Sequence, residues 1–353
     1  MVLILRALTA ILAALLLPLS VPAAVPPEIG ALSAILMAED GSVLYEREAD
    51  RMLPMASTTK LMTALVAAER LDPAQSVTVT PDCCAVEGSS MYLRPDEAYT
   101  VRELLTGLLL ASGNDAALAL AGACAGDVEA FSVLMNETAA ALGMKNTHFT
   151  NPHGLNEAGH YATARDLAIL MRAVMQNALL AELLALPAAE IHGVFLPNHN
   201  KLLETLPGCL GGKTGYTAVA GRCLVSCAER DGTRLYCVTL HDPDDWNSHR
   251  RLYDWGFSQV KTLRVDAETL RYEISLLGGT DSCAVAVPAE EQSLLLPADS
   301  EPEYRVQLPF YVFAPTAAGA EAGLLEIRDG AETLLRVPLV YAENYPVQQV
   351  NNG

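Results

Sequence analysis

The segment from Met55 to Leu71, MASTTKLMTALVAAERL, constrains the fold more than any other part of the chain. After Thr58, apolar residues recur at helical spacing, at Leu61, Met62, Leu65, Val66 and Ala68. Ser57 stands where an N-cap or first-turn residue belongs, three positions before Lys60. Residues three apart on a helix are neighbours, so the segment predicts a buried helix with the Ser57 hydroxyl beside the Lys60 amine.

This pair suits an activated nucleophile. A serine hydroxyl is a poor nucleophile at neutral pH until a neighbouring base accepts its proton. A lysine amine becomes such a base when burial or a second cation disfavours its ammonium form. The apolar helix after Lys60 predicts burial, and the chain contains only five lysines, at positions 60, 145, 201, 213 and 261. A capped helix with a surface lysine is the alternative, which this motif alone does not exclude.

A polar loop, Ser112-Gly113-Asn114, separates two apolar segments that are both predicted to be helices. The first helix is expected to begin at a capping box formed by Thr100 and Glu103. Buried polar groups are costly unless they are hydrogen-bonded, which favours a second wall of an active site. There Ser112 would pass a proton and Asn114 would hold a substrate amide. The alternative is a helix C-cap at Gly113 followed by an N-cap at Asn114.

The third motif is Gly211-Gly212-Lys213-Thr214-Gly215-Tyr216-Thr217. Two apolar runs around Asp231-Gly232 predict a β-hairpin, and Lys213-Thr214-Gly215 is expected on or just before its first strand. Glycines beside a lysine let another backbone approach closely, so an extended peptide is able to pair antiparallel with this strand. A plain strand start is the alternative. A phosphate loop is excluded, because the Gly-x-x-x-x-Gly-Lys spacing is absent.

Ser-x-x-Lys, Ser-x-Asn and Lys-Thr-Gly form the set of motifs found in penicillin-binding proteins and class A β-lactamases. The chain resembles the low-molecular-mass penicillin-binding proteins, which are serine-type D-alanyl-D-alanine carboxypeptidases of peptidase family S11. The resemblance covers about residues 29–262, and the segments that carry it are PMASTTKLMTAL, SGNDAA, FTNPHGL, GHYATARDLA and GGKTGYTAVAGRCLV. The resemblance implies an α/β (α+β) fold of the penicillin-binding-protein and β-lactamase type, with an antiparallel sheet flanked by helices.

The resemblance also implies three catalytic residues. Ser57 attacks the carbonyl of the penultimate D-alanine in a peptidoglycan stem peptide and forms an acyl-enzyme, which water then hydrolyses. Lys60 accepts the Ser57 proton, and Ser112 relays it to the leaving D-alanine. β-Lactam antibiotics are expected to acylate Ser57 as inhibitors, and no cofactor is expected.

The substrate-binding residues implied by the resemblance are Asn114, Lys213, Thr214, Gly215 and Tyr216. Asn114 orients the peptide amide, Lys213 supplies positive charge, and Thr214 contacts the terminal carboxylate. The backbone N–H groups of Ser57 and Tyr216 form the oxyanion hole, whose donors are each worth about 3 kcal/mol of transition-state stabilisation. His199, in NHNKLL, stands where many relatives have another polar or basic residue, so it receives no role.

Two other functions compete with this interpretation. A β-lactamase needs fast deacylation assisted by a glutamate-borne water, and no Glu-x-x-x-Asn lies between Asn114 and Lys213 to supply it. An inactive peptidoglycan-binding or sporulation scaffold is disfavoured, because every motif residue is intact. The carboxypeptidase interpretation is therefore preferred.

The chain is predicted to contain a targeting segment and two domains. Residues 1–24 are typical of a secretory signal peptide, with an uncleaved membrane-anchoring helix as the alternative. In both cases the rest of the chain is expected to act outside the cytoplasm. Residues 25–262 are predicted to form the catalytic domain and residues 263–347 a small all-β domain. Residues 348–353 are a polar tail that lacks the amphipathic membrane anchor of many relatives.

Composition narrows the classes of partner. A net charge of −19 argues against nucleic acid and against a polybasic membrane patch. All eight cysteines follow residue 24, and buried apolar thiols are expected, with a cross-strand contact possible among Cys223, Cys227 and Cys237. The cysteine spacings and the three histidines between His148 and Tyr161 do not match a metal site, so none is expected.

Overall fold

The computed structural model describes residues 25–348. The predicted signal peptide and residues 349–353 of the predicted tail lie outside the described residues. Within residues 25–348 no single helix is both long and apolar enough to cross a membrane, although two pairs of helices joined at sharp bends reach that combined length and apolarity.

The helices all lie in the first three quarters of the chain. A 3-10 turn, Ala56–Thr59, precedes the first of them. They are α1 (Lys60–Arg70), α2 (Pro81–Cys84), α3 (Val101–Leu110), α4 (Asn114–Ala125), α5 (Val128–Leu142), α6 (Ala164–Gln176), α7 (Ala178–Ala185), α8 (Leu202–Thr205) and α9 (Asp245–Gln259).

The strands that precede α9 are β1 (Ser33–Ala38), β2 (Val43–Arg47), β3 (Ser76–Thr78), β4 (Ala98–Thr100), β5 (Ala188–Ile191), β6 (Val194–Pro197), β7 (Cys209–Thr217), β8 (Gly221–Arg230) and β9 (Thr233–Leu240). Those that follow it are β10 (Val260–Val265), β11 (Tyr272–Leu277), β12 (Cys283–Pro288), β13 (Gln292–Pro297), β14 (Glu303–Gln307), β15 (Tyr311–Phe313), β16 (Glu321–Asp329) and β17 (Glu332–Tyr341).

A five-stranded antiparallel sheet forms the centre of the first part of the chain, in the order β2-β1-β9-β8-β7. The predicted strand, turn and strand around Asp40-Gly41 are observed as β1 and β2, and the predicted hairpin at Asp231-Gly232 is β8 and β9. Lys213-Thr214-Gly215 lies on β7, the strand before that hairpin. Because β7 is an edge strand, its outer side is free to pair with an extended peptide.

Helix α1 runs through the middle of the hydrophobic core, and every residue from Lys60 to Ala67 is buried. Helices α3, α4 and α6 pack around it, with leucines such as Leu104, Leu120 and Leu167 fully buried. The capping box of Thr100 and Glu103 forms as predicted at the start of α3. The buried helix therefore delivers Ser57 and Lys60 from within a rigid core.

The C-terminal part of the chain consists of strands. Six of them form a sheet in the order β14-β16-β17-β12-β11-β15, and β10 pairs with β13. This region has a hydrophobic cluster of its own, which includes Val265, Ile274, Leu325 and Val337. Helices that flank an antiparallel sheet, followed by an all-β region, confirm the predicted fold class.

The position of Ser57 and the arrangement of the cysteines differ in part from what the sequence predicts. Of the two positions expected for Ser57, the N-cap is wrong, because Thr59 occupies it, while Ser57 lies in the 3-10 turn that leads directly into α1. All eight cysteines are free thiols, and Cys223, Cys227 and Cys237 are buried. Across the β8–β9 pair Cys227 faces Tyr236 and Cys237 faces Ser226, so the strand register does not place two of these cysteines opposite each other.

Candidate active site

The Ser57 turn is held by the side chains of its neighbours. The Thr58 hydroxyl donates a hydrogen bond to the Met55 carbonyl at 2.7 Å, and the Thr59 hydroxyl donates one to the Ala56 carbonyl at 2.8 Å. Ala56 has a φ of +48°, a left-handed conformation that is costly for a residue other than glycine. These bonds offset the strain and fix the backbone that carries Ser57.

Lys60 is fully buried and its amine has three polar neighbours. Nζ lies 2.8 Å from Ser57 Oγ, 2.7 Å from Asn114 Oδ1 and 2.7 Å from the carbonyl oxygen of His153. Burial, together with the nearby Lys213, lowers the pKa of Lys60 well below its usual value, while Asp115 acts in the opposite direction. Burial therefore disfavours the ammonium form of Lys60.

The hydrogen-bond partners of Lys60 can also satisfy a neutral amine. Asn114 Nδ2 donates to the Glu87 carbonyl at 2.6 Å, which turns Oδ1 of the same amide toward Lys60. Two of the three neighbours of Nζ are therefore carbonyl oxygens, which only accept. A neutral amine has two hydrogens for these two acceptors, and its lone pair remains to accept a hydrogen bond from the Ser57 hydroxyl.

The loop between α3 and α4 is a strained wall of the site. Ser112 has a φ of +61°, whereas Gly113 has a φ of −57°, so the alternative of a left-handed glycine cap at Gly113 is wrong. The Asn114 side chain caps no helix and contacts Lys60 instead. Non-glycine residues in left-handed conformations cluster at functional sites, where surrounding contacts enforce them.

Asp115 fixes the segment that covers the site. Its carboxylate accepts hydrogen bonds from the backbone N–H groups of Met91 and Leu93 and from the Ser90 hydroxyl. The Asn114 N–H donates to the Ser89 carbonyl in the same segment. The residue after the Ser-x-Asn motif therefore connects the catalytic wall to the segment around Ser89.

Strand β7 lies directly against the Ser57 turn. A Cβ added to Gly215 would lie 2.9 Å from the Met55 carbonyl oxygen and 3.0 Å from Ser57 N, so only glycine permits this approach. Lys213 is buried, and its amine donates to the Thr214 carbonyl at 3.0 Å. Burial lowers the pKa of Lys213 to about 7, so this second amine carries only part of its charge near neutrality.

These elements enclose a cavity of about 310 Å³. Its lining includes five of the sequence-predicted residues: Ser57, Ser112, Thr214, Gly215 and Tyr216. Lys60 and Asn114 lie behind Ser57, joined to it through hydrogen bonds, and Lys213 is buried on β7. The remaining lining residues are Ser89, His199, Arg222, Asp245 and Trp246, of which the motifs indicated none.

His199 and the histidine loop have roles that the motifs did not reveal. His199 lines the cavity, and burial together with Lys213 and Lys60 lowers its pKa. Nε2 of His160 lies 2.8 Å from the Thr59 hydroxyl, which already donates to Ala56, so the imidazole N–H donates to Thr59. Nδ1 of His160 then accepts from the Thr150 N–H at 3.0 Å. Neutral His160 thereby links the Ser57 turn to the backbone at Thr150.

The histidines and cysteines do not form a metal centre in the described part of the chain. Within residues 25–348 no group of three or more His, Cys, Asp or Glu side chains is arranged to hold a metal ion. The loop histidines instead bond to backbone and hydroxyl groups, as His148 Nδ1 does with the Gly159 carbonyl at 2.8 Å.

Comparison with solved structures defines the class of protein. Penicillin binding protein 5 from Haemophilus influenzae superimposes with a TM-score of 0.70 at 26% sequence identity, covering 92% of this chain and 99% of that one. The chain therefore has the fold of the penicillin-binding proteins, and the cavity beside Ser57 lies within it.

Comparison of sequences places the chain within that class. The sequence profile of the D-alanyl-D-alanine carboxypeptidase family S11 matches residues 20–244. The D-alanyl-D-alanine carboxypeptidase DacF of Bacillus subtilis is 32% identical over 89% of this chain and 85% of its own length. DacC of Escherichia coli is 32% identical over 90% of this chain and 85% of its own length. The chain belongs to the serine D-alanyl-D-alanine carboxypeptidases of this family, which are peptidase hydrolases.

Proposed function

We propose that this enzyme removes the terminal D-alanine from peptidoglycan stem peptides that end in D-Ala-D-Ala, through an acyl-enzyme on Ser57. The observation that carries the proposal is the set of hydrogen-bond partners around Lys60. Two carbonyl oxygens accept hydrogen bonds from Nζ, so a neutral Lys60 amine would turn its lone pair toward the Ser57 hydroxyl. A buried lysine with a lowered pKa is thereby prepared to act as a base.

Acylation begins when Ser57 Oγ attacks the carbonyl carbon of the penultimate D-alanine. As the C–O bond forms, the hydroxyl proton moves to Lys60 Nζ across the 2.8 Å contact. The negative charge that develops on the carbonyl oxygen is stabilised by the backbone N–H groups of Ser57 and Tyr216, on the two elements that Gly215 brings together.

Collapse of the tetrahedral intermediate breaks the peptide C–N bond. Ser112 relays a proton from Lys60 to the leaving nitrogen, so D-alanine departs as a neutral amine and the ester on Ser57 remains. Asn114 holds the substrate amide, while Lys213 and Thr214 bind the leaving residue. Water then attacks the ester carbonyl and gives a proton to Lys60, which restores Ser57 and releases the shortened peptide.

The same chemistry makes the enzyme a target of β-lactams. Ser57 opens the β-lactam amide as it would open the peptide bond, but the leaving nitrogen stays attached to the acyl group. A substrate of this kind places the enzyme outside the cytoplasm, in agreement with the proposed signal peptide at residues 1–24. We assign this chemistry to a catalytic domain of residues 25–262, followed by a β domain of residues 263–347.

The test is release of D-alanine from diacetyl-lysyl-D-alanyl-D-alanine. The unaltered enzyme should release one D-alanine per peptide, and Ser57→Ala should release none while its thermal unfolding is unchanged. Absence of D-alanine release by the folded, unaltered enzyme would refute the proposed function.

A further inference from the structure

The backbone carbonyl of His153 is a neighbour of Lys60 that the His153 side chain does not steer. Its oxygen lies 2.7 Å from Nζ, in the loop between α5 and α6. A backbone carbonyl points where its planar peptide group is held, so its direction depends on the groups that hold the neighbouring backbone. Two buried side chains outside the three motifs, Thr63 and Asn151, bond to that backbone on either side of His153.

Asn151 holds the peptide group whose carbonyl faces Lys60. The His153 carbonyl and the Gly154 N–H belong to one planar trans unit, in which they point in opposite directions. Oδ1 of Asn151 accepts the Gly154 N–H at 2.8 Å, so the carbonyl faces the other way, toward Lys60. Nδ2 of Asn151 donates to the Leu155 carbonyl at 3.1 Å. Because a carbonyl only accepts, this second bond fixes which way the Asn151 amide faces.

Thr63 holds the residue before His153. It is fully buried on α1, and its hydroxyl donates a hydrogen bond to the Pro152 carbonyl at 2.5 Å. Thr63 lies three positions after Lys60, and residues three apart are neighbours on a helix. The helix that carries Lys60 therefore also carries an anchor for the loop that contacts its amine.

Gly154 packs the same peptide group against the turn that contains Ser57. Its φ is +89°, a left-handed conformation that suits glycine. A Cβ added to Gly154 would lie 2.0 Å from the Ala56 carbonyl oxygen, so the two backbones are in direct contact. This close packing leaves the peptide group between His153 and Gly154 little freedom to rotate.

We propose that Thr63 and Asn151 are positioning residues that aim the His153 carbonyl at Lys60. With this carbonyl in place, it accepts one hydrogen of a neutral amine, and the lone pair is left to face Ser57 Oγ. Neither residue belongs to the Ser-x-x-Lys, Ser-x-Asn or Lys-Thr-Gly motif. The inference rests on the proposed function, in which Lys60 accepts the Ser57 proton.

The experiment measures acylation by penicillin in Thr63→Val, which keeps the shape of the side chain and removes its hydroxyl. When the carbonyl is no longer aimed at Nζ, the amine is free to turn its lone pair away from Ser57. We expect the rate constant of acylation at neutral pH to fall about 10-fold, with the dissociation constant for penicillin unchanged. Thr63→Ser, which keeps the hydroxyl, should restore most of the rate.

Asn151→Ala should slow acylation as Thr63→Val does. Both residues act through one carbonyl, so their effects should be coupled. The rate in the double variant should therefore fall by less than the product of the two single changes. If Asn151→Ala does not fold, Thr63→Val decides the question alone.

The pH profile separates positioning from a loss of folded enzyme. A carbonyl oxygen that accepts a hydrogen bond stabilises the ammonium form, so its removal should lower the pKa of Lys60 further. The acidic limb of the acylation profile should therefore move to lower pH in Thr63→Val and in Asn151→Ala. Partial unfolding would reduce the amplitude of the profile without this shift.

Thr106→Val and Asn136→Ala are the matched controls. The Thr106 hydroxyl donates to the Arg102 carbonyl of its own helix at 2.7 Å, and Nδ2 of Asn136 donates to the Phe149 carbonyl at 2.8 Å. Both side chains thus bond to backbone carbonyls, but at places away from His153. Each control should lower the melting temperature and leave the acidic limb where it is.

Two failures are distinguishable. If penicillin does not acylate the unaltered enzyme and no D-alanine is released from diacetyl-lysyl-D-alanyl-D-alanine, the proposed function is wrong. If the unaltered enzyme is active, and folded Thr63→Val is acylated at the same rate or slows without a shift of the acidic limb, the positioning role is overturned and the function stands.

Discussion

Lys60 Nζ lies 2.8 Å from Ser57 Oγ. It also lies 2.7 Å from the side-chain oxygen of Asn114 and 2.7 Å from the backbone carbonyl oxygen of His153. This relationship supports the proposal that Lys60 acts as a base near neutral pH. An exposed lysine would be an ammonium with three hydrogens to donate. At this site burial disfavours the ammonium form, and the two carbonyl oxygens would accept both hydrogens of a neutral amine and leave its lone pair toward Ser57 Oγ.

Asn114→Asp tests the influence of this environment on Lys60. A carboxylate 2.7 Å from Nζ favours the ammonium form, so the pKa of Lys60 should rise. Activity that requires the neutral amine should then be lost at neutral pH, and the acidic limb of the kcat/KM profile should move to higher pH. An acidic limb of the kcat/KM profile that stays at the same pH would contradict the assignment of Lys60 as the base. Asn344→Asp, at an exposed amide that bonds the Ala318 N–H, is the matched control.

Gly215→Ala tests the contact between β7 and the Ser57 turn. The added Cβ would lie 2.9 Å from the Met55 carbonyl oxygen, so the strand or the turn must move. Displacement of about 1 Å typically costs about 100-fold in rate, and we expect acylation by penicillin to slow by that factor. Gly122→Ala is the control, because its Cβ would meet open space on α4, and helix propensity predicts a gain of about 0.5–1 kcal/mol. Equal acylation rates in both variants would exclude the contact as a determinant.

Lys213 predicts how stability depends on pH in the alkaline range. Its pKa is about 7 in the folded enzyme and near 10.5 when unfolded, so between these values the unfolded chain binds more protons. The free energy of unfolding should therefore rise as pH increases from 7 to 10.5. Lys213→Met removes this contribution, and its melting temperature should rise less with pH across the same range. A variant with the same slope as the unaltered enzyme would show that Lys213 is not buried as described.

His160 makes the corresponding prediction in acid. Burial lowers its pKa from 6.5 to about 4, so the unfolded chain binds more protons between these values. The contribution of His160 to stability should decline as pH falls from 6.5 to 4, when a protonated ring would face the Thr150 N–H. His160→Gln should weaken the dependence of the melting temperature on pH in this range. His148→Gln, which changes an exposed histidine of the same loop, should leave that dependence unchanged. An identical change of melting temperature with pH in the two variants would contradict the role of His160.

Local signals in the sequence predicted much of this structure. The Asp40-Gly41 turn, the Thr100 and Glu103 capping box and the Asp231-Gly232 hairpin depend on neighbouring residues, and all three are observed. The apolar spacing after Lys60 likewise predicted a helix, and this helix is buried from Lys60 to Ala67. Such features are encoded within a few residues, so a single sequence is sufficient to find them.

Such local signals could not predict the contacts between distant segments. Thr59 meets His160 across 101 positions, and this contact supports the turn that contains Ser57. Arg222 and Asp245 are 23 positions apart and belong to no catalytic motif. Only the packing of β8 against the segment that begins α9 makes them a pair. The motifs thus located residues that lie together around Ser57, but not the distant residues that contact them.

Intact mass after incubation with penicillin, followed over time, tests the central claim most directly. The account predicts a long-lived adduct of one penicillin per chain that maps to Ser57, and no adduct in Ser57→Ala with an unchanged melting temperature. An adduct that persists in Ser57→Ala, or that maps to another residue, would contradict Ser57 as the nucleophile.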